Sequence, residues 1–533
     1  MDFWNRVRYA IVGIVILYIA LRIPGIGVPL DRDEGAFGHM GQLIHEGGLP
    51  YRDGLDHKPP IAFYINALAL EFVPATERGI HWFLLVYNFL TLVCLLALAR
   101  IFFDSLAAGL WCAFCFAVFS ASPDIQGFTA STEMWALLPI CASLLAAVVG
   151  VRKCNAGLLM VSGALGAIAC WTKQTMVFSI AFVLLYAALA PVADSRSRIR
   201  QAARNAGLWL AGAMVVSGGI VGYFAARGVL RDFVYWCFTY GFSYAKQVSI
   251  KDVAGDLRDA LSDVWSGNVV ILSIGIGVAA WTLWRARRDR TSFEWRWPVF
   301  VLGFLACSLA GTLPGYAYPH YFAQIAPAAA LAAGQGIYVL LGRIRQGRAR
   351  AWAAIGLAAL ILSTTLVIDH DYFFERDPNA ISAAYFEDNP FPESKAVADF
   401  IASRTSPDDR VLIEGSEPQI LFYAQRRSPT AFLMMYPLTI THPHYREFQE
   451  RMMAEIEACP PKYIVAMVDI PYSLAWDESA DLQIMRFLDT LIAKNYTLEL
   501  TRVMSGSDGQ WIDPPDGHVD PNTPAIAIYR RKE

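Results

Sequence analysis

The sequence predicts a polytopic α-helical membrane protein of about eleven transmembrane helices, followed by a soluble α/β domain outside the membrane. Three observations predict this. Of 533 residues, 55% are hydrophobic and only 17% are charged, too apolar a balance for an ordinary soluble protein. The apolar residues fall in runs long enough for a bilayer, which needs about 20 residues of helix. Basic residues then collect in every second connection between those runs.

The expected spans are roughly 10–30, 80–100, 105–122, 132–150, 156–171, 174–191, 205–227, 264–284, 298–313, 321–342 and 351–368. Ala10–Leu30 follows Arg6 and Arg8 and lacks a small-residue cleavage site, so it reads as a retained anchor. Arg6/Arg8, Arg100, Arg152/Lys153, Arg196–Arg204, Arg285–Arg290 and Arg343–Arg350 occupy alternate connections. The bias of basic residues toward the cytoplasm places those connections inside. The N-terminus is then cytoplasmic and, with an odd number of spans, the C-terminal domain external. The other connections carry or adjoin all nine histidines: 39, 45, 57, 81, 320, 370, 442, 444 and 518. Chemistry is expected on that side. The nine cysteines lie mostly inside apolar runs, at neither metal nor disulfide spacing, and read as inert buried thiols. A net charge of −3 argues against nucleic acid as a partner.

After about residue 370 the composition changes. Helices are expected at 393–404, 418–424, 445–457 and 481–494, and strands at 411–413, 463–467 and 525–529. This alternation suggests a mostly parallel sheet. The domains are thus 1–370, membrane-embedded with an external loop at 31–60, and 371–533, an external α/β domain.

The first external loop holds the densest polar pattern. Asp31-Arg32-Asp33-Glu34 directly follows the first span, and Gly35–Gly48 has the spacing of a short interfacial amphipathic helix. Gly47-Gly48 ends it, and Tyr51-Arg52-Asp53-Gly54 reads as a turn. His57-Lys58-Pro59-Pro60 then leads into the apolar stretch Ile61–Val73. Asp33 fits a helix cap, and Lys58 fits a lysine snorkelling to headgroups. Three carboxylates in four residues also repel one another and suit a cationic partner, a metal or a polar substrate.

Asp33-Glu34, the Gly-rich helix end before Pro50-Tyr51, and Lys58-Pro59-Pro60 together resemble the first periplasmic loop of GT-C glycosyltransferases. The likeness is to the protein-mannosyltransferase and aminoarabinose-transferase branch (glycosyltransferase family 39 and its bacterial relatives). The resemblance implies a GT-C-like fold in a bacterial inner membrane. It also implies an inverting hexosyl- or pentosyltransferase that moves a monosaccharide from a polyprenyl-phosphate carrier, at the outer face, to lipid A, an envelope glycan or a protein. Such an enzyme needs a carboxylate to orient or deprotonate the acceptor hydroxyl and cations to hold the phosphate. Asp33 matches the family's acidic position, with Glu34 able to share its role. Lys58 matches the Lys-Pro-Pro lysine, and Lys173, in Trp171-Thr172-Lys173-Gln174, matches a lysine of a later external turn; both imply phosphate contact. His320-Tyr321 resembles a His-Tyr turn seen before a late span, which implies donor contact.

Glu133 opens a span from the external side, where a carboxylate usually faces protein or water but is also favoured by the helix dipole. Arg231, Tyr235, Trp236, Tyr240, Tyr244 and Lys246, in the connection 228–263, could line a sugar site or belong to an interfacial aromatic belt. Asp31-x-Asp33 is formally a metal-binding pattern for Mg or Mn, but the adjacent Glu34 and the following Lys58 favour a metal-independent site with no cofactor. The competing functions are a transporter or flippase of lipid-linked sugars and an O-antigen polymerase or ligase. Against the first, polar residues gather at one end of the spans and not at mid-membrane. No catalytic constellation is visible in the C-terminal domain, which reads as an acceptor dock or a stabilising roof.

Overall fold

The computed structural model describes the chain except residues 1–2, 191–197, 246–249, 289–294, 315, 376, 388, 475–479, 505–509 and 513–523. Arg196, Lys246, Arg290, His518 and the side chain of Tyr244 therefore lie outside the described residues. In chain order the helices begin with α1 (Phe3–Ala20), α2 (Arg32–His45), α3 (Pro60–Leu70), α4 (Glu77–Phe102), α5 (Leu106–Phe119) and α6 (Thr132–Arg152). They continue with α7 (Ala156–Thr172), α8 (Val177–Leu189), α9 (Arg198–Ala226), α10 (Leu230–Val234), α11 (Gly241–Ala245) and α12 (Ile250–Gly267). Then come α13 (Val269–Arg288), α14 (Arg296–Ala310), α15 (Ala326–Gly342), α16 (Gly347–Ile368), α17 (His370–Phe374), α18 (Pro378–Phe386) and α19 (Phe391–Arg404). The last are α20 (Pro418–Ala424), α21 (Tyr436–Thr439), α22 (Tyr445–Ala458), α23 (Pro471–Leu474) and α24 (Gln483–Asn495).

Among the described residues, seven helical stretches are long and apolar enough to cross a membrane: Trp4–Gly27, Glu77–Phe102, Thr132–Arg152, Arg198–Ala226, Val269–Arg288, Pro319–Gly342 and Gly347–Ile368. The other four expected spans are also apolar helices, but shorter: Leu106–Phe119, Ala156–Thr172, Gln174–Leu189 and Arg296–Ala310. The expectation of about eleven spans thus resolves into seven long helices and four short ones.

The chain divides into two compact units, the first made of Met1–Ile26, His81–Gly228 and Tyr244–Phe374. Its helices start where a side chain can accept the orphan amides: Ser105 caps α5, Ser131 caps α6 and Asn155 caps α7. Small residues set how closely the helices approach. A Cβ on Gly163 of α7 would lie 1.8 Å from the Trp209 carbonyl of α9, and one on Gly212 would lie 1.8 Å from the Met160 carbonyl. Backbone-to-backbone packing of this kind is how apolar helices associate where burial from water gives no drive. The alanines at 326, 328–330, 332 and 333 bury α15 in the same way, and Gly334 sits against the Cys112 backbone of α5. By contrast α16 leaves Trp352, Ile355, Leu360 and Val367 exposed, as a lipid-facing helix does. All nine cysteines are free; Cys154, in the turn after α6, departs from the expected burial and is exposed.

The second unit comprises Gly27–Ile80, Val229–Ser243 and Glu375–Glu533. Among the described residues its sheet has five strands, β1 (Val411–Glu414), β2 (Tyr463–Val468), β3 (Tyr496–Val503), β4 (Gln510–Ile512) and β5 (Ala525–Arg531), in the order β1-β2-β5-β3-β4. Of these strands β1 and β2 pair in parallel, with Val411 opposite Tyr463; the other pairings described are antiparallel, with a bulge at Leu498/Leu500. The expected mostly parallel sheet is therefore a mixed one. Strand β5 enters the middle antiparallel to β2, and β3 and β4 extend it as a ribbon that the helical reading stopped short of. The expected helices recur within two residues of their sequence boundaries as α19, α20, α22 and α24.

Glu414, at the end of β1, is buried, and burial, with a smaller contribution from Asp489, raises its carboxyl to about 8. An unfolded glutamate titrates near ~4.3. The fold thus favours the neutral acid, so its stabilising contribution is complete below ~4.3 and disappears as pH rises through 8. Between pH ~5 and ~8 the Tm of the wild type should fall by several degrees more than that of Glu414→Gln. Equal slopes in a pH series of melting curves would remove this assignment.

Candidate active site

In the second unit, the first loop folds around its charges. Asp31 is the N-cap of α2: its Oδ1 accepts the Glu34 amide at 2.8 Å, and Glu34 Oε2 accepts the Asp31 amide at 3.1 Å. This reciprocal pair is a capping box. The cap is therefore Asp31 and not Asp33, whose side chain is released from the helix end. It meets Lys58, whose Nζ donates to Asp33 Oδ2 at 3.0 Å and Oδ1 at 3.2 Å. Gly47, with φ of +83°, turns the chain out of α2 in a conformation that costs other residues more.

Three features hold Lys58 in place. Tyr51, buried and itself at a positive φ of 69°, donates its hydroxyl to the Lys58 carbonyl at 2.8 Å. Asp56 Oδ1 accepts the Lys58 amide at 3.0 Å. Pro59 is extended (ψ 156°), and Pro60 starts α3. A left-handed tyrosine stores strain that its surroundings must offset, an arrangement that clusters at functional sites. Burial works against the Lys58 charge, but Asp33 and then Asp56 outweigh it and hold its ammonium protonated well above the ordinary lysine range. Burial raises the Asp56 carboxyl, and among the described residues its Oδ2 has no hydrogen-bond donor.

Helix α2 is fixed by glycines as well as charges. A Cβ on Gly35 would lie 2.5 Å from the Gln419 Cα, and one on Gly38 would lie 2.8 Å from the Phe422 ring, both on α20. Arg32 reaches the loop after β1, pairing with buried Glu417 at 2.6 Å and donating to the Ser416 carbonyl at 2.5 Å. Asp31 and Arg32 thus have structural tasks, and Glu34 is buried with part of its carboxylate in the capping box.

Around Lys58 and Asp33 the same unit gathers groups that sequence reasoning missed. Tyr436, on α21, is half-buried, and desolvation keeps its hydroxyl un-ionised; the charges it feels are those of Lys58, Asp56 and Asp33. It donates to Met434 Sδ. Nothing in Met434-Met435-Tyr436-Pro437 signals this role. Asp56, two residues before Lys58, had a signal in its position. Tyr240 belongs to a π-helical turn, Tyr235–Tyr240, a form common at functional sites. Its ring stands 6.1 Å from His57 and 5.2 Å from His442. Arg231, on α10, is exposed.

In the first unit a second cation is held by a carboxylate. Lys173, in the turn between α7 and α8, pairs with buried Glu133 Oε1 at 2.8 Å, and Thr132 donates to Glu133 Oε2 at 2.9 Å. The Lys173 ammonium lies 4.4 Å from the Tyr321 ring centre, a cation–π contact. His320 packs edge-on to Tyr321 at 4.9 Å, and its Nδ1 meets Gln126 Oε1 at 3.1 Å. The structure thus brings Glu133, Lys173, His320 and Tyr321 together, and Gln126 joins them unannounced by any motif. Truncating one partner of a buried ion pair costs ~3–5 kcal/mol, because the other charge is left uncompensated. Glu133→Gln keeps an acceptor for Lys173 but removes the charge that balances it, so its Tm should fall by several degrees. A melting curve that matches the wild type would remove the pair from this stabilising role.

Among the described residues, no group of three or more His, Cys, Asp or Glu side chains has the geometry of a metal site.

Comparison with known proteins adds the relationship. The family model for dolichyl-phosphate-mannose-protein mannosyltransferases matches residues 57–218. No curated protein matches significantly in sequence. Among solved structures, ArnT from Cupriavidus metallidurans bound to undecaprenyl phosphate is similar at a TM-score of 0.60 and 12% identity, covering 99% of this chain and 98% of that one. The apo form of the same protein gives 0.57 and 14%, covering 97% and 98%. By family model over residues 57–218 and by fold over nearly its whole length, the chain is similar to the GT-C glycosyltransferases of the protein-mannosyltransferase and aminoarabinose-transferase branch.

Proposed function

We propose that the chain is an inverting glycosyltransferase that moves a monosaccharide from a polyprenyl-phosphate carrier to an acceptor hydroxyl at the outer face of a bacterial inner membrane. The observation that carries this reading is the Asp33–Lys58 ion pair, a carboxylate and an ammonium 3.0 Å apart with Lys58 buried. Asp33, 30% exposed, is placed to accept a proton, and Lys58 has a further N–H to offer an anion. In this reading the acceptor oxygen attacks the anomeric carbon as Asp33 takes its proton. The bond from that carbon to the phosphate oxygen breaks, and the electron pair leaves on the polyprenyl phosphate. Lys58 stabilises the charge gathering there, which counts for more in a site shielded from water. Glu34 organises the helix that carries Asp33. From the sequence, Lys173 and His320 are read as donor-phosphate contacts and Glu133, Tyr321, Tyr240 and Arg231 as substrate contacts.

Two facts support the donor class. A protein of the same fold has been solved with undecaprenyl phosphate bound, and the matching family is described by dolichyl-phosphate-mannose transfer. The reading needs no metal, because Asp31 and Asp33, the two carboxylates of the Asp-x-Asp pattern, already serve as helix cap and lysine partner. The acceptor is lipid A, an envelope glycan or a protein side chain. Charge bias supports a cytoplasmic N-terminus and an external region 371–533.

The test is release of free polyprenyl phosphate from a labelled polyprenyl-phosphate sugar by the purified protein in detergent, with envelope lipids or proteins as acceptor. Acceptor-dependent release with label transfer is expected. Binding without release would identify a carrier or flippase instead.

A further inference from the structure

A buried cation in the first unit has no acid to balance it. Arg22 stands just after α1, inside the apolar stretch Trp4–Gly27, and is 7% exposed. Its Nη1 donates to the carbonyls of Tyr18 at 2.9 Å and Ala117 at 3.3 Å, and its Nη2 donates to the Ser120 hydroxyl at 2.6 Å. The Tyr18 ring centre lies 3.7 Å from the guanidinium carbon. These contacts orient the group and engage three of its five N–H bonds. None of them brings a negative charge, and among the described residues no carboxylate pairs with it. The ionisable groups it feels are the phenols of Tyr18 and Tyr372.

Beside Arg22 lies a cavity of about 20 Å³, room for one particle the size of a water or a halide and too small for a phosphate. Arg22, His81 and Asn88 form its polar wall, and Leu84, Leu85 and Phe128 its apolar wall. Asn88, on α4, is 1% exposed; its Oδ1 accepts from the Thr91 hydroxyl at 3.4 Å, but its Nδ2 has no acceptor among the described residues. The His81 Nδ1 meets the Ile26 carbonyl at 3.2 Å, so that nitrogen is a donor too. Gly25 lets the wall close: a Cβ there would fall 2.5 Å from the Phe128 side chain and 2.8 Å from the Tyr372 hydroxyl. The polar wall is thus built of donors. A charge taken from water with nothing to balance it is costly, and so is an amide N–H with no acceptor. A water molecule would meet the second need and leave the first.

We propose that Arg22 and Asn88 bind a single halide ion, of the chloride class, in this cavity. The anion balances the guanidinium and accepts the Asn88 amide together. It ties the end of α1 to α4 and to the loop at Gly127 and Phe128, which line the same cavity. Gly127 directly follows Gln126, which stands at a left-handed φ of 47° and meets His320 Nδ1 through its Oε1 at 3.1 Å. The ion therefore steadies the backbone beside the cluster of His320, Lys173 and Glu133. The role is structural and does not depend on which reaction the chain catalyses.

The full-length protein, purified in detergent, is exchanged into gluconate, an anion too large for the cavity, at constant ionic strength. It is then titrated with radioactive chloride, with bromide as competitor, and its melting is followed in parallel. One saturable equivalent of chloride is expected per chain, displaced by bromide and not by sulfate. Tm should rise by roughly 3–5 °C at a hundredfold excess over Kd. Asn88→Asp sets a carboxylate against Arg22, so it should abolish the bound equivalent and melt at the same temperature in chloride and in gluconate. Arg22→Met should abolish binding as well. The competing occupant is a water molecule, for which the melting curve is indifferent to the halide. No saturable chloride binding by the wild type, or binding by Asn88→Asp equal to that of the wild type, overturns the proposal. Should Arg22→Met fail to fold, the wild type and Asn88→Asp decide the matter alone.

Discussion

Asp33→Asn should lower sugar transfer by about 10²–10⁴-fold, the range that a positioned general base supplies, while the protein still inserts and melts cooperatively. The side chains are nearly the same size, and the amide oxygen can still accept from Lys58, which now stands 3.0 Å from Asp33 Oδ2. What the variant loses is the negative charge and the capacity to take a proton. Loss should fall on kcat, since a base acts in the transition state more than in binding. Because Asp31 and Glu34 form the helix cap, α2 should keep its structure in the variant. Near-normal turnover with labelled donor would remove Asp33 from the base role and return it to that of a mere partner for Lys58.

Lys58→Met is the other change of large effect. Methionine fills the space of the stem but removes a buried cation between Asp33 and Asp56, the two carboxylates that hold it charged. Breaking a buried pair on one side costs ~3–5 kcal/mol, so some stability is lost along with activity. Turnover should fall by at least about 10³-fold, and donor affinity should weaken as well, because the phosphate loses its counter-charge in ground state and transition state alike. Lys58→Arg should recover part of the affinity and little of the rate, since a planar fork does not occupy the position of a compact ammonium. The pair separates phosphate binding from stability: a Lys58→Met protein with normal donor affinity would contradict the assignment whatever its Tm.

Much of the membrane region was legible because one physical signal dominates it. Runs of apolar residues have little alternative to helices, and basic clusters mark their ends. The site was legible where a motif lies within one loop: Asp33 and Lys58, 25 residues apart, do meet. So do Glu133, on α6, and Lys173, in the turn after α7, though nothing in either local pattern announced the partner. Position within α2 was harder. Asp31 and Asp33 both satisfy the composition of an N-cap, and the choice falls to Asp31 because Glu34, three residues on, completes the capping box. The pairing of the C-terminal strands depends on which strand enters the middle of the sheet. That is β5, from the far end of the chain, and local alternation carries no information about it. Tyr436 and Asp56 are of the same kind: their surroundings are made by folding, not by neighbours in sequence.

The capping box has an effect on what the gene can tolerate. It decides by counting, not by chemistry, which of two identical acids faces Lys58. Inserting a single residue between Asp31 and Glu34 leaves composition, charge and helix propensity almost unchanged, but breaks the three-residue spacing of the box and turns the acids on either side of the change by about 100° relative to one another. The loop is therefore more sensitive to indels than to many substitutions. Single-residue insertions here should be as damaging to transfer as Asp33→Asn, whereas insertions of the same size in the turn Tyr51–Gly54 should spare α2 and its cap.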